Sequence, residues 1–274
     1  MYSVIVDNDE INFQLGGAAP QFGDPVVLAH AEQDILGGTE WYSTGYTVET
    51  LLSDVEFKEI SAEVTEKVRD LLRLNGVEAP DDFRLADYHK FVAGDDSLHQ
   101  KIIEVTRELR MPHFKFDFES FIRKVSEAIG HPLKSANNAS SDIDAFLIVR
   151  INRPQSEDYN PPHKDGYLPV WQRTVNLWVP IAGVSEKSAL PVVAGSHLLP
   201  EDKIKRTPAG ALLNGKPYRV PAIVEWDGEK AMTRAKVGEG EALIFSPLLI
   251  HGCAKNMAED TTRVALELRL SSAT

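Results

Sequence analysis

One cysteine, Cys253, stands in a chain of 274 residues. An internal disulfide is therefore impossible, and a reducing compartment fits better than an oxidising one. The opening ten residues carry Asp7, Asp9 and Glu10 where a signal peptide would carry basic residues. Long apolar runs are missing too: a membrane helix needs roughly 18 to 20 residues, and the best stretch, 242–250, is interrupted by Ser246 and Pro247. A cytoplasmic protein with no membrane span is expected. Basic residues are scarce, 29 Lys and Arg against 41 Asp and Glu, for a formal charge of -12. That charge repels phosphate backbones and anionic headgroups, so no nucleic-acid or membrane partner is expected.

What remains is the balance of an ordinary globular chain, 43% hydrophobic and 26% charged, long enough to bury a polar site. The acidity is uneven. Up to and including Asp142 there are 13 basic and 26 acidic residues, and after it 16 and 15. Residues 47–130 read mostly as helices. Ser53 with Glu56 forms a capping-box pattern, followed by Val55, Ile60, Val64, Val68, Leu71 and Leu72 at helical spacing and by a stop at Asn75-Gly76. Asp96 or Ser97 is expected to cap a second helix, and Asp117 a third that ends at Gly130. Beyond residue 142 the apolar segments are short: Phe146–Ile151, Thr174–Ile181, Glu241–Phe245 and Arg263–Leu270, with Pro and Gly between them. Strands without alternating helices favour an antiparallel jelly-roll. The fold class expected is mainly β with helices (α+β), a jelly-roll core carrying an N-terminal helical layer. Its division is 1–142 for the helical or α+β portion and 143–274 for the core.

The chemistry concentrates in the second half. In Pro162-His163-Lys164-Asp165 an imidazole and a carboxylate stand two residues apart, and an extended backbone points both to one side, with Lys164 pointing away. Alone, such a pair is weak. His251, 88 residues further on at the end of an apolar run, can supply a third ligand from a neighbouring strand. Two imidazoles and one carboxylate on one face of a metal leave the opposite positions open, as in non-haem Fe(II) oxygenases. Arg263, twelve residues later, can grip a carboxylate with its planar fork, and Arg269 lies on the same nominal face.

Ordered motifs then bring in a resemblance. His163-Lys164-Asp165, Val175-Asn176-Leu177-Trp178-Val179-Pro180, Leu190-Pro191-Val192-Val193-Ala194-Gly195-Ser196-His197, Gly240-Glu241-Ala242-Leu243-Ile244-Phe245, His251-Gly252 and Arg263 cover about residues 144–270. In this respect the chain resembles the phytanoyl-CoA dioxygenase-like branch of the Fe(II)/2-oxoglutarate-dependent dioxygenases. The resemblance implies a double-stranded β-helix (cupin-like) with His163, Asp165 and His251 on iron, and Arg263 on the distal carboxylate of 2-oxoglutarate. Trp178 would line that cosubstrate pocket. Cys253 stands where relatives commonly have a small hydroxyl residue, and a thiol is the weaker donor. Retention of Asp165 points to a hydroxylase, since halogenating relatives replace that carboxylate. The cofactors implied are Fe(II), 2-oxoglutarate as cosubstrate, and O2.

Other residues carry weaker signals. Asn176 and Ser246 divide between supporting the ligands and packing within a strand. His30, His89, His99, His113 and His131 read as surface or capping residues, and His197 as structural. Tyr159, Tyr167 and Trp171 flank the metal motif and are candidate substrate walls. From His197 to Lys236 eight basic residues, among them Lys203, Lys205 and Arg206, meet five acids. This suggests a lid over the site, with Lys203 and Arg206 favouring an anionic small-molecule substrate. A monomer and a homodimer both remain open. Three other functions stay open as well: a non-catalytic cupin-like binding module, a protein hydroxylase, and a Zn-dependent hydrolase or isomerase using the same ligands.

Overall fold

The computed structural model of the protein describes residues 1–30, 33–135 and 145–274, so the division expected between 142 and 143 lies outside the described residues. The chain begins with strands β1 (Tyr2–Val6), β2 (Asp9–Phe13), β3 (Leu15–Gly16), β4 (Gln21–Phe22) and β5 (Tyr46–Thr50). Helices α1 (Asp54–Leu74), α2 (Tyr88–Phe91), α3 (Asp96–Arg107) and α4 (Phe118–Ile129) follow. Then come β6 (Leu133–Ser135), β7 (Leu147–Asn152), β8 (Thr174–Ala182), β9 (Pro191–Val192), β10 (Ile204–Arg206), β11 (Ala211–Leu213) and β12 (Lys216–Tyr218). The last strands are β13 (Ile223–Trp226), β14 (Ala231–Arg234), β15 (Glu241–Phe245) and β16 (Arg263–Ser272). The fold is α+β and mainly β, and among the described residues its sheets do not close into a barrel.

The helices start and stop where their side chains dictate. Ser53 and Glu56 form the reciprocal capping box at the head of α1, and Asn75 caps its end. Ile60, Val64, Val68 and Leu72 are buried at helical spacing, each worth roughly 1.5–3 kcal/mol of burial. Val55, expected on that face, is 65% exposed, because at about 3.6 residues per turn its position falls on the side of α1 opposite Ile60, Val64, Val68 and Leu72. The cap of α3 is Asp95, whose carboxylate accepts from Leu98 N–H at 2.8 Å, ahead of the Asp96 or Ser97 expected. Asp117 caps α4 as expected, and Gly130 ends it in the left-handed region at φ 67°.

The main sheet runs β5-β15-β8-β16, with β7 and β6 both paired to β16. Its two faces follow the period of two. Val175, Leu177, Val179 and Ile181 of β8, Ala242 and Ile244 of β15, and Val264, Leu266 and Leu268 of β16 join one core with the helices. The intervening residues Trp178, Leu243, Phe245 and Ala265 belong to a second cluster with Val192, Ala235 and Val237. Arg263, Glu267 and Arg269 alternate with those apolar positions of β16, so a row of charges lies on the second face.

The first half is woven into the β core. β1 pairs parallel with β14, β3 pairs with β11, β4 with β10, and β5 with β15, so strands from this half enter every sheet. One histidine expected at the surface is in fact buried. His99 is 1% exposed, with Nδ1 3.0 Å from Tyr88 Oη and Nε2 3.2 Å from Asp158, because α3 packs its face onto β7 and the loop that follows. Among the described residues no helix is long and apolar enough to cross a membrane.

Candidate metal centre

Two segments far apart in sequence meet at the second face. His163 N–H donates to His251 O at 2.9 Å and His251 N–H donates to His163 O at 3.0 Å, while Cys253 N–H reaches Asn160 O at 2.8 Å. The 250–252 segment is also held from its other side. Val193 N–H donates to Ile250 O, Gly252 N–H to Pro191 O, and Ile250 N–H to the Ser196 hydroxyl at 2.8 Å. The Gly195-Ser196 turn thus fixes the strand that carries His251. After Asp165, Gly166 lets the chain approach the 247–248 loop, since a Cβ there would stand 2.4 Å from a Leu248 methyl carbon.

Among the described residues, His163, Asp165 and His251 are the one group of three able to hold a metal ion; their ligand atoms all lie within 4.8 Å of one another and all three are buried. His163 Nε2 is 3.5 Å from Asp165 Oδ1, and His251 Nε2 is 3.7 Å from Oδ2. Each imidazole Nδ1 lies against a main-chain carbonyl, Pro161 O at 2.8 Å and Leu249 O at 2.9 Å. A carbonyl oxygen only accepts, so the proton sits on Nδ1 and both Nε2 lone pairs are free for a cation. Burial, reinforced by His163, pushes His251 down to about 4, so it is a neutral ligand near pH 7. Burial works against ionisation of Asp165, but the Arg269 guanidinium is the largest influence opposing it, and this carboxyl is held well below its usual range. Two imidazole nitrogens and one carboxylate oxygen are the donor set that suits Fe(II).

Arg263 is 2% exposed, lies over the Trp178 ring at 5.4 Å, and donates only to Ala254 O at 3.3 Å. Its Nε and Trp178 Nε1 are buried with no hydrogen-bond partner among the described residues. Burial lowers its pKa to about 10, which leaves it charged near neutral pH. A buried guanidinium with spare donors and no ion-pair partner within 4.0 Å among the described residues, Glu267 acting on it only from further along the same face, suits an anionic ligand such as the distal carboxylate of 2-oxoglutarate.

The other candidates are placed as follows. Asn176 Nδ2 donates to Asp165 Oδ2 at 2.8 Å. Arg269 also donates to Asp165 Oδ2, so its guanidinium is engaged at the metal carboxylate. Cys253 packs with Tyr159 and Ile250 in the cluster of the small sheets, and burial pushes its thiol up to about 12. The Tyr159 hydroxyl lies 3.0 Å from a Glu157 carboxylate oxygen. Trp171 is buried against Phe146 and the Arg269 guanidinium. Tyr167 lies under Arg206, whose Nε donates to Glu201 at 3.0 Å; Glu201 also accepts from the buried Lys164 at 3.0 Å. Lys203 is largely exposed, 3.8 Å from Asp227.

Two features of the site were missed in the sequence. Tyr218, at the end of β12, sets its ring edge-on to His163 at 5.4 Å. Arg150 and Glu267 form a two-pronged ion pair, 3.0 and 2.9 Å, on the same face. Tyr218 carried no signal beyond its place in the basic segment, whereas Arg150 and Glu267 could have been found as charged residues on the inward-facing positions of apolar strands.

A jelly-roll-type β core with a buried pair of histidines and one carboxylate belongs to the class of non-haem Fe(II) enzymes. The phytanoyl-CoA dioxygenase family model matches residues 42–265, and the chain belongs to that family. It is an Fe(II)- and 2-oxoglutarate-dependent dioxygenase. No curated protein matches the sequence. Similar solved structures include the non-heme alpha ketoglutarate dependent epimerase SnoN from nogalamycin biosynthesis, 16% identical over 89% of this chain and 81% of that one, TM-score 0.42. AviO1 from Streptomyces viridochromogenes Tue57 is 13% identical over 92% and 97%, TM-score 0.47. EctD from S. alaskensis, solved with 2-oxoglutarate and 5-hydroxyectoine, is 13% identical over 95% and 84%, TM-score 0.46.

Proposed function

We propose that this enzyme hydroxylates an unactivated C–H bond of a small anionic molecule. In this reading His163, Asp165 and His251 hold Fe(II), and Arg263 with Trp178 receives the distal carboxylate of 2-oxoglutarate. The observation that carries it is the buried guanidinium of Arg263, with Nε unsatisfied among the described residues, on the same sheet face as the buried triad. When bound, the iron supplies oxygen activation coupled to oxidative decarboxylation of 2-oxoglutarate to succinate and CO2.

The chain's own residues do the rest. The two carbonyls behind His163 and His251 hold the imidazoles in the ligand tautomer. Arg263 orients the cosubstrate through charge-assisted hydrogen bonds in a site from which the packed strands exclude water. A carboxylate at position 165 favours hydroxylation over halogenation, as the family resemblance implies. On the substrate side, the 197–236 segment acts as a lid that brings Tyr218 to the edge of His163. Arg206 and the buried Lys164 both donate to one acid, Glu201. The basic balance of the 197–236 segment, eight Lys and Arg against five acids, supports an anionic substrate, entering past Tyr159, Tyr167 and Tyr218. Residues 1–142 and 143–274 form one unit in this reading, the first half supporting the core that carries the site.

The test is anaerobic titration of metal-free protein with Fe(II) and then 2-oxoglutarate. A visible metal-to-ligand charge-transfer band is expected in wild type and absent in His163→Ala. Folded, iron-loaded wild type that shows no band overturns the reading.

A further inference from the structure

The carboxylate of Asp165 is held by more than the metal site needs. Its Oδ2 accepts from Asn176 Nδ2 at 2.8 Å, from Arg269 Nη2 at 2.6 Å and from Arg269 Nε at 3.2 Å. A carboxylate oxygen offers two lone pairs, so three N–H groups leave Oδ2 none for a cation. Oδ1 remains, and it faces His163 Nε2 at 3.5 Å.

Arg269 is itself held in place. Its guanidinium lies 4.4 Å from the Phe146 ring centre and 4.5 Å from that of Trp171, and the two rings pack edge to face at 5.1 Å. The side chain is 13% exposed, and Asp165 is its one ion-pair partner among the described residues. Register on β8 and β16 sets Arg269 directly across from Asn176, so both donors arrive from adjacent strands of the rigid main sheet.

We propose that Arg269 is a positioning residue of the metal centre: by occupying Asp165 Oδ2 with both prongs of its guanidinium, it restricts Asp165 to a one-oxygen ligand. This rests on the reading of His163, Asp165 and His251 as the iron site. A carboxylate beside a divalent cation binds through one oxygen or two. With Oδ2 free, the second mode would take one of the positions that a cosubstrate and oxygen must share. With Oδ2 clamped, those positions stay open. A lysine could supply the charge at that point but not the two parallel donors, and a glutamine supplies neither the charge nor the fork.

The experiment uses the full chain loaded with Mn(II), as wild type, Arg269→Lys, Arg269→Gln and Trp171→Leu. Two quantities are read. One is the splitting between antisymmetric and symmetric carboxylate stretches in metal-minus-apo infrared difference spectra, with aspartate carbon-13 labelled; it is wider for one-oxygen than for two-oxygen coordination. The other is calorimetric affinity for Mn(II) and then for 2-oxoglutarate. The expected result in Arg269→Gln is a narrowed splitting, Mn(II) binding no weaker than wild type because a repelling cation is gone, and 2-oxoglutarate binding weaker by roughly tenfold. Arg269→Lys is expected to recover part of both changes. A general loosening of the fold would instead weaken Mn(II) binding and leave the splitting alone.

Should Arg269→Gln fail to fold, Trp171→Leu frees one face of the guanidinium without touching Asp165, and the same narrowing, smaller in size, is expected. Variants with the wild-type splitting overturn the proposal and leave the metal site standing. Wild type that binds no Mn(II) overturns the metal site itself, and the proposal with it. The two failures are told apart by which protein shows them.

Discussion

His163 and His251, 88 residues apart in sequence, exchange both of their main-chain hydrogen bonds, so the two imidazoles are held side by side with ring centres 4.3 Å apart. The spacing of the two candidate ligand nitrogens is therefore set by backbone pairing and does not depend on side-chain packing alone. Gly252 guards that pairing. Its φ is +117°, and a Cβ there would stand 2.5 Å from Pro161 O and 3.0 Å from His163 Nδ1. Gly252→Ala is expected to cost about 1–3 kcal/mol in stability and to weaken Mn(II) binding at least about tenfold through a displaced His163. Thermal melts with and without Mn(II) test it. A variant whose metal-induced rise in melting temperature matches wild type would show that the pairing does not govern the site.

The candidate metal-binding residues stood out through the His163-Lys164-Asp165 pair and through His251 at the end of an apolar run, both visible locally. The long strands 147–152, 174–182, 241–245 and 263–272 could be read for the same reason, to within about two residues at the ends. What could not be read depends on partners remote in sequence. β1 finds its parallel partner β14 more than 220 residues later, so its five residues carry little signal alone. Arg269 looked like an alternative cosubstrate grip because its place on the inner face was legible, but its partner Asp165 is reached only through the folded loop. The α3 cap shifted from Asp96 to Asp95 because two adjacent acids are equivalent in sequence and differ only in backbone angle.

Arg263 is a buried charge with no contact ion pair among the described residues, Glu267 acting on it only from further along the face, so its removal should separate two properties. Arg263→Gln is expected to weaken 2-oxoglutarate binding about 10- to 100-fold, the worth of a charge-assisted hydrogen-bond pair. Mn(II) affinity should be unchanged, and the ligand-free protein no less stable, because an uncompensated buried charge has been removed. Arg263→Lys should fall between. Calorimetry with each ligand decides it, and a parallel loss of metal and 2-oxoglutarate binding would contradict the assignment.

His99 links the helical layer to the loop that leads into the metal motif. Its ring bridges Tyr88 and Asp158, and Asp158 is held below its usual pKa as His99 and Arg153 outweigh its burial. His99→Leu removes one side of this buried network and leaves the Tyr88 hydroxyl without its partner, while Arg153 still donates to both Asp158 oxygens. The expected loss is about 1–3 kcal/mol, that of a buried polar group left unsatisfied, read as a lower urea midpoint. A midpoint within error of wild type would mean that Arg153 alone satisfies Asp158.

His197 is fully buried beside Tyr42, with ring centres 5.0 Å apart, and burial pushes its pKa from 6.5 down to about 4. Between those values the unfolded chain takes up a proton that the folded chain refuses, so stability falls as pH falls through this window and is fully regained above about pH 6.5. For His197 the loss between pH 7 and pH 5 is about 2 kcal/mol. His251 adds a similar dependence in the metal-free protein, because its value is also near 4. His197→Phe keeps the ring shape and cannot titrate, so its stability profile should be flatter than wild type by the His197 share alone. Urea unfolding of metal-free protein at pH 7, 6 and 5 measures this difference. Parallel profiles for the two proteins would mean that His197 takes up its proton in the folded state as readily as in the unfolded chain.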